Sequence, residues 1–289
     1  MIKRICGVRT SLPWASLRAG AAGLLGILAF GAPRAALAGG YTLNYMTNFS
    51  GCDSSCNGNS SLSYTDDQVN QLGSALNDYG HTQLHKFGNS NTWASDMVED
   101  NLGGQDNFYS DNGFLYAFSG HGGTGTDSGG QTFRAPYCKK GTSSSCVMQS
   151  PNARTGEQTG PFAVNPGDIK YLIWATCYSV HTAPNNQWDQ TMRYGTEMIF
   201  GYRGTSADSW TTDEVLGDFA DAAFGDKDKL RAAWFWAIED WWVDDTGAVL
   251  ASGATESEAI SRRANLRAST PRRAPGAIHT WFAWSWHEG

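Results

Sequence analysis

The chain has 289 residues, with 28 acidic against 21 basic side chains and a formal charge of −7. That length allows one large domain or two small ones. An acidic balance disfavours nucleic acid and anionic lipid as partners unless basic residues gather in one patch. The candidate patch, Arg262, Arg263, Arg267, Arg272 and Arg273, reads instead as a solvated helix face and linker, because Arg263 and Arg267 lie four apart.

In chain order, residues 1–38 read as a secretory signal peptide. Lys3, Arg4, Arg9 and Arg18 precede an apolar stretch from Ala21 to Phe30, and Ala36-Leu37-Ala38 offers a small-x-small cleavage site. The apolar stretch is too short to span a bilayer comfortably. No later segment reaches about 18 uninterrupted apolar residues. A secreted or periplasmic protein, unattached to membrane after cleavage, is expected. The leader carries five basic side chains (Arg34 is the fifth) and no acidic one, so its loss takes the charge from −7 to −12.

Residues 39–289 read as one α/β domain. "YTLNYMTNF" (41–49) forms a first strand, and "DDQVNQLGSALNDYG" (66–80) a helix, with Val69, Leu72, Leu76 and Tyr79 at helical spacing and Gly80 as a stop. "HTQLHKF" (81–87) is a second strand, and "TWASDMVEDNLGG" (92–104) a helical turn or two. "GFLYAF" (113–118), "IKYLIWA" (169–175) and "TEMIFGY" (196–202) supply strands three to five. Helices follow at 212–225 and 227–242, then "GAVLAS", a helix near 256–266 and a final aromatic strand, "AIHTWFAWSW". Strands three and four are nearly continuous apolar runs, as in a mostly parallel sheet flanked by helices on both faces. Residues 120–168 are rich in Gly, Ser, Thr, Asn and Pro and show no crossover helix, although a parallel connection normally needs one. They read as an ordered surface insertion.

Five cysteines remain after the leader. Cys52 and Cys56 bracket "DSS", and Cys138 and Cys146 bracket "KKGTSSS". In an oxidising compartment each close pair reads as a local disulfide. Zinc is the alternative, but the spacings are not C-x-x-C and no histidine is near. Cys177 is left over, either an inert buried residue or a thiol kept for its chemistry.

The sequence "NGFLYAFSGHGGTG" (112–125) ends an apolar strand at His121 among glycines. Gly120-x-Gly122-x-x-Gly125 formally matches a dinucleotide fingerprint, which needs a helix to follow; "TDSGGQTF" has no helical period. A serine esterase would need a G-x-S-x-G elbow, which is absent. His81, His85, His121, His181, His279 and His287 include no H-E-x-x-H, and His81 and His85 share a predicted strand, so no metal is expected. Cysteine with histidine remains. A neighbouring imidazole raises the thiolate fraction and returns a proton to the leaving amine. In open α/β sheets ligands bind beyond the carboxyl ends of the strands, where His121 and Cys177 both fall. Without a Cβ, Gly122 lets its N–H approach a substrate carbonyl and pair with the N–H of Cys177.

A hydrophobic strand ending in His-Gly, followed by one ending in a small residue and Cys, resembles the caspase-like cysteine peptidases: caspases, metacaspases, gingipains, legumain and separase. The resemblance covers roughly residues 41–205. It implies a caspase-like fold with the dyad after strands three and four, His121 as general acid/base, Cys177 as nucleophile, and Gly122 with Cys177 as oxyanion hole. It further implies a peptide or protein substrate, no cofactor and a monomeric enzyme. Such enzymes usually carry Ala, Ser or Gly before the cysteine, often after Gln, Glu or Asp; here the run is Ala175-Thr176-Cys177-Tyr178. Asp127 and Asp208 are candidates for selecting a basic residue, and each also fits a solvated loop carboxylate.

The rival reading is an inactive relative that binds a carbohydrate or protein through its tryptophans. Trp234, Trp236, Trp241 and Trp242 crowd one helix, and Trp281, Trp284 and Trp286 crowd the end. Trp234, Ile238 and Trp241 fall at helical spacing, which favours core packing.

Overall fold

The computed structural model describes residues 39–56, 58–127, 130–153, 169–181, 187–193, 195–239, 245–271 and 279–288. The expected leader, together with Trp241, Trp242, Arg272 and Arg273, lies outside them.

A seven-stranded sheet is the frame. Its strands are β1 (Gly40–Tyr45), β2 (Thr82–Gly88), β3 (Leu115–Ser119), β7 (Tyr171–Ala175), β8 (Met198–Tyr202), β9 (Thr246–Gly253) and β10 (Trp281–Glu288), in the spatial order β10-β9-β8-β7-β3-β1-β2. The pairs β1–β2, β1–β3, β3–β7 and β7–β8 are parallel; β9 and β10 join antiparallel. The expected α/β class with a mostly parallel sheet is therefore what the chain forms.

Side chains alternate across this sheet. Leu115, Ala117, Tyr171, Ile173, Met198 and Phe200 enter one core; Tyr116, Phe118, Leu172, Trp174 and Ile199 enter the other. Burial on both faces explains why β3 and β7 read as unbroken apolar runs. The first core is covered by α1 (Thr65–Asp78), α3 (Val215–Ala220) and α4 (Leu230–Ala237). In α1 the buried stripe is Val69, Leu72 and Leu76, and Gly80 ends the helical run at φ +84°, a conformation glycine adopts without strain. A π-helical turn (Asp221–Gly225) prolongs α3, and α5 (Glu256–Asn265) packs on β9 and β10. In α5 the Thr255 hydroxyl accepts from the Glu258 N–H, an N-cap, and Arg262 reaches back to Glu258 at 3.1 Å.

The second core is covered differently. Besides the short helix α2 (Asp189–Met192), a separate antiparallel sheet packs there, β4 (Gly123–Asp127), β5 (Gly130–Pro136) and β6 (Val147–Gln149). Among the described residues between β3 and β7, this sheet stands where a crossover helix would normally pack. The insertion is no surface appendage: Phe133, Ala135, Tyr137 and Met148 are fully buried in it.

Residues 92–104 form the expected helical turns, as single 3-10 turns at Ala94–Asp96 and Asp100–Leu102 with Gly103 as the stop, and backbone bonds to Lys139, Lys140 and Asn152 tie the run to other segments. One further expectation is corrected. The disulfides are not local. Cys52 joins Cys138 and Cys56 joins Cys146, with Cα separations of 4.7 and 5.7 Å across 86 and 90 residues. Both bridges tie the segment between β1 and α1 to the small sheet. Closeness in sequence is no guide here, because partners are set by where the folded chain brings two Cβ vectors together.

Candidate active site

Parallel pairing of β3 with β7 sets Ser119 opposite Ala175. His121 lies two residues beyond Ser119 and Cys177 two beyond Ala175, so both follow adjacent strands at the same carboxyl rim. The loops touch. A Cβ placed on Gly122 would come within 2.6 Å of both the Cys177 carbonyl oxygen and Thr176 Oγ1, so glycine is required by space. Neither the Gly122 nor the Cys177 amide donates to another described residue.

His121 is half-buried, with its ring centroid 5.9 Å from that of Phe49. Its Nε2 lies 2.8 Å from the Ser60 carbonyl oxygen and 3.4 Å from Ser60 Oγ. A carbonyl only accepts, so Nε2 carries a hydrogen in this contact. Cys177 is a free, half-buried thiol. The Ser206 N–H donates to its sulfur at 3.3 Å, and the Ser206 carbonyl lies 3.6 Å away. The imidazole and the thiol share no described hydrogen bond. Ser60 and Ser206 are the residues that sequence reading missed. Their shortest contacts are through backbone atoms, which no residue type encodes.

The chain reverses after the cysteine through strain and burial. Tyr178 holds φ at 57°, a left-handed conformation uncommon for a bulky residue. Its N–H donates to the Gly204 carbonyl at 2.6 Å. The buried Ser179 hydroxyl lies 2.9 Å from the carbonyls of both Trp174 and Thr176 and accepts the Tyr202 N–H. Strand ends β7 and β8 are thereby locked beneath the thiol. Asp245 holds the neighbouring loop by accepting the Ala207 N–H on both carboxylate oxygens.

The carboxylate of Asp208 accepts the Ser63 and Tyr64 N–H groups at 2.6 and 2.9 Å. It therefore serves the N-terminus of α1, which has no side-chain cap of its own. Asp127 ends β4 opposite Gly130. Buried Gln68 of α1 accepts from the Ser119 hydroxyl and donates to the Thr212 carbonyl, joining β3 to the loop after β8.

His181 stays close to the cysteine loop, its ring edge-on to Tyr178 at 5.3 Å and its Nδ1 2.6 Å from the Arg203 carbonyl oxygen; other histidines are held elsewhere. His81 is buried and stacks on Phe114, with its Nδ1 accepting the Gly39 N–H; burial lowers its pKa. His85 stacks on Phe87. Buried His279 bonds Ser252 Oγ. Among the described residues, no group of three His, Cys, Asp or Glu is placed to hold a metal ion. Of the tryptophans, Trp234 and Trp284 are core residues; Trp236 and Trp210 are exposed. Among the described residues, a tryptophan-based binding surface would draw on these two, on Trp93, which is also exposed, and on half-buried Trp281 and Trp286.

A family model described as "Domain of unknown function (DUF6345)" matches residues 50–267, from before α1 to beyond α5, with the whole candidate site inside. No curated protein matches the chain.

Proposed function

We propose a hydrolase function for this chain, which belongs to the DUF6345 family: cleavage of peptide bonds by a Cys177–His121 dyad. The observation that carries the reading is the contact of Gly122 with the Cys177 carbonyl, which sets two amides with no acceptor among the described residues beside a free thiol. The sheet order β2-β1-β3-β7-β8, with histidine after β3 and cysteine after β7, supports the caspase-like resemblance.

The chemistry follows from the tautomer. With Nε2–H held by Ser60, Nδ1 of His121 takes the thiol proton as the sulfur attacks the substrate carbonyl carbon. The oxyanion receives the N–H groups of Gly122 and Cys177, an arrangement whose single donors are worth about 10²–10³ in rate. The tetrahedral adduct collapses as His121 gives its proton to the leaving amine, leaving an acyl-thioester on Cys177. Water, deprotonated by His121, then attacks that thioester, releasing the carboxylic acid and restoring the thiol. All bonds and protons balance without a cofactor.

The disulfides fit an oxidising compartment, and no helix among the described residues is long and apolar enough to cross a membrane. Export through the 1–38 leader is part of the proposal, as is action as a monomer on a peptide or protein. The test is alkylation of the non-reduced protein with iodoacetamide at pH 6.5. Rapid, selective modification of Cys177, reduced at least tenfold in His121→Ala, supports the dyad. A Cys177 that reacts only after unfolding removes the nucleophile from the proposal.

A further inference from the structure

The sole described partner of the His121 imidazole's Nε2 is Ser60, and Ser60 sits on a segment with little structure of its own. Residues 58–61 are exposed and belong to neither helix nor strand. Two anchors bound them. On the far side, Leu62 N–H donates to the Thr47 carbonyl at 2.7 Å. On the near side stands Cys56, buried and bridged to Cys146. Four residues earlier Cys52 is bridged to Cys138, and the Asp53 N–H donates to the Cys138 carbonyl at 3.2 Å.

The other ends of these bridges are equally specific. Cys138 follows β5 and Cys146 precedes β6, and the Tyr137 N–H closes that connection onto the Cys146 carbonyl at 2.7 Å. β5 pairs with β4 over Gly130 to Arg134, and β4 begins two residues after His121. His121 therefore leads directly into the small sheet, and its ring meets the loop that this sheet holds by two covalent links. Phe49, whose carbonyl accepts the Cys52 N–H at 3.3 Å, packs beside the ring from the same segment.

Resting on the dyad reading above, we propose that the Cys52–Cys138 and Cys56–Cys146 bridges are positioning elements of the active site: they fix the Ser60 carbonyl against His121 and so select the Nε2–H tautomer that leaves Nδ1 as the base. A loop of small, exposed residues has no apolar contacts to hold one carbonyl in place; closing it covalently at Cys56 limits what it samples. Without that limit, the imidazole shares its hydrogen between both nitrogens and the base is present only part of the time.

The experiment uses the full protein and the paired variant Cys56→Ser/Cys146→Ser, with Cys52→Ser/Cys138→Ser as a second variant that keeps the other bridge. Histidine side-chain nitrogen NMR reads the His121 tautomer, and iodoacetamide alkylation of Cys177 at pH 6.5 reads its consequence. A single Nε2–H tautomer in the parent, a mixed one in Cys56→Ser/Cys146→Ser, and a fall in alkylation of about tenfold support the proposal. A bridge that merely stabilised the fold would lower the melting temperature and leave the tautomer alone, and an unchanged tautomer in both variants overturns it. Should Cys56→Ser/Cys146→Ser fail to fold, Cys52→Ser/Cys138→Ser carries the same reading. A tautomer that changes while the parent shows no low-pH alkylation upholds the clamp and sinks the dyad, so the two failures are distinguishable.

Discussion

The α-carbon of Gly122 faces the backbone of Cys177 so closely that a methyl group on it would lie 2.6 Å from the Cys177 carbonyl oxygen and 2.7 Å from Thr176 Cβ. Neither neighbour is the free end of a flexible chain. Gly122→Ala should therefore push the histidine loop off the cysteine loop at a cost of about 1–3 kcal/mol, the usual range for overpacking. Thermal melts should show a loss of several degrees, and alkylation of Cys177 at pH 6.5 should slow. A variant that melts with the parent and reacts at the parent rate would mean that the loops are not in contact.

Asp208 illustrates how a carboxylate near a candidate site acquires a structural duty. Its oxygens accept two amides just ahead of α1, where negative charge and a capping acceptor are both favourable. Asp208→Ala should lower stability by about 1 kcal/mol in urea titrations, and Asp208→Asn by less. Equal stability in all three proteins would remove the capping role.

Burial raises the pKa of Asp96 to about 7, beside the Tyr116 and Tyr137 hydroxyl pair. The sign follows from the protonated form being the one that folds readily. Below about pH 4, the unfolded value, both states are protonated and stability is full. As pH climbs to about 7 the unfolded chain ionises first, and stability falls by on the order of 3–4 kcal/mol. Asp96→Asn should flatten this part of the stability profile measured by urea unfolding from pH 4 to 8. Asp106, whose pKa burial also raises, with Asp111 and Glu99 adding to it, should leave a residual slope. An unaltered profile in Asp96→Asn would show that Asp96 ionises freely in the folded protein.

Proteolytic mapping of the unreduced protein should recover peptides linking Cys52 to Cys138 and Cys56 to Cys146. A peptide linking Cys52 to Cys56 would contradict the topology outright. Loops of 86 and 90 residues correspond to about 4–5 kcal/mol for one bridge in the chain-entropy view. The second should add less, because it joins segments already held together.

What the sequence disclosed depended on whether local pattern or tertiary placement sets a feature. Strands β3, β7 and β8 are legible because burial on two faces demands apolar residues at every position, and the α1 stripe because a covered helix must repeat near 3.6 residues. Their order, and the glycine after the histidine, were enough to bring His121, Gly122 and Cys177 to one rim. The small sheet was hidden: its strands are rich in Gly and Thr, and "GTGTD" announces no pairing. The run 94–108 has helical spacing in places, but its backbone bonds go to other segments. Ser60, Ser206 and the true cysteine partners belong to the same class, since each is defined by a position in space.

The crossed bridges also govern what a cut in the chain can achieve. Severing any one peptide bond between Cys56 and Cys138, on α1 or within the 3-10 turns alike, yields two fragments still joined by two sulfur links. A nicked molecule would migrate as one species on an unreduced gel and as two once thiols are restored. Such damage would leave the parts that carry His121 and Cys177 attached to the rest.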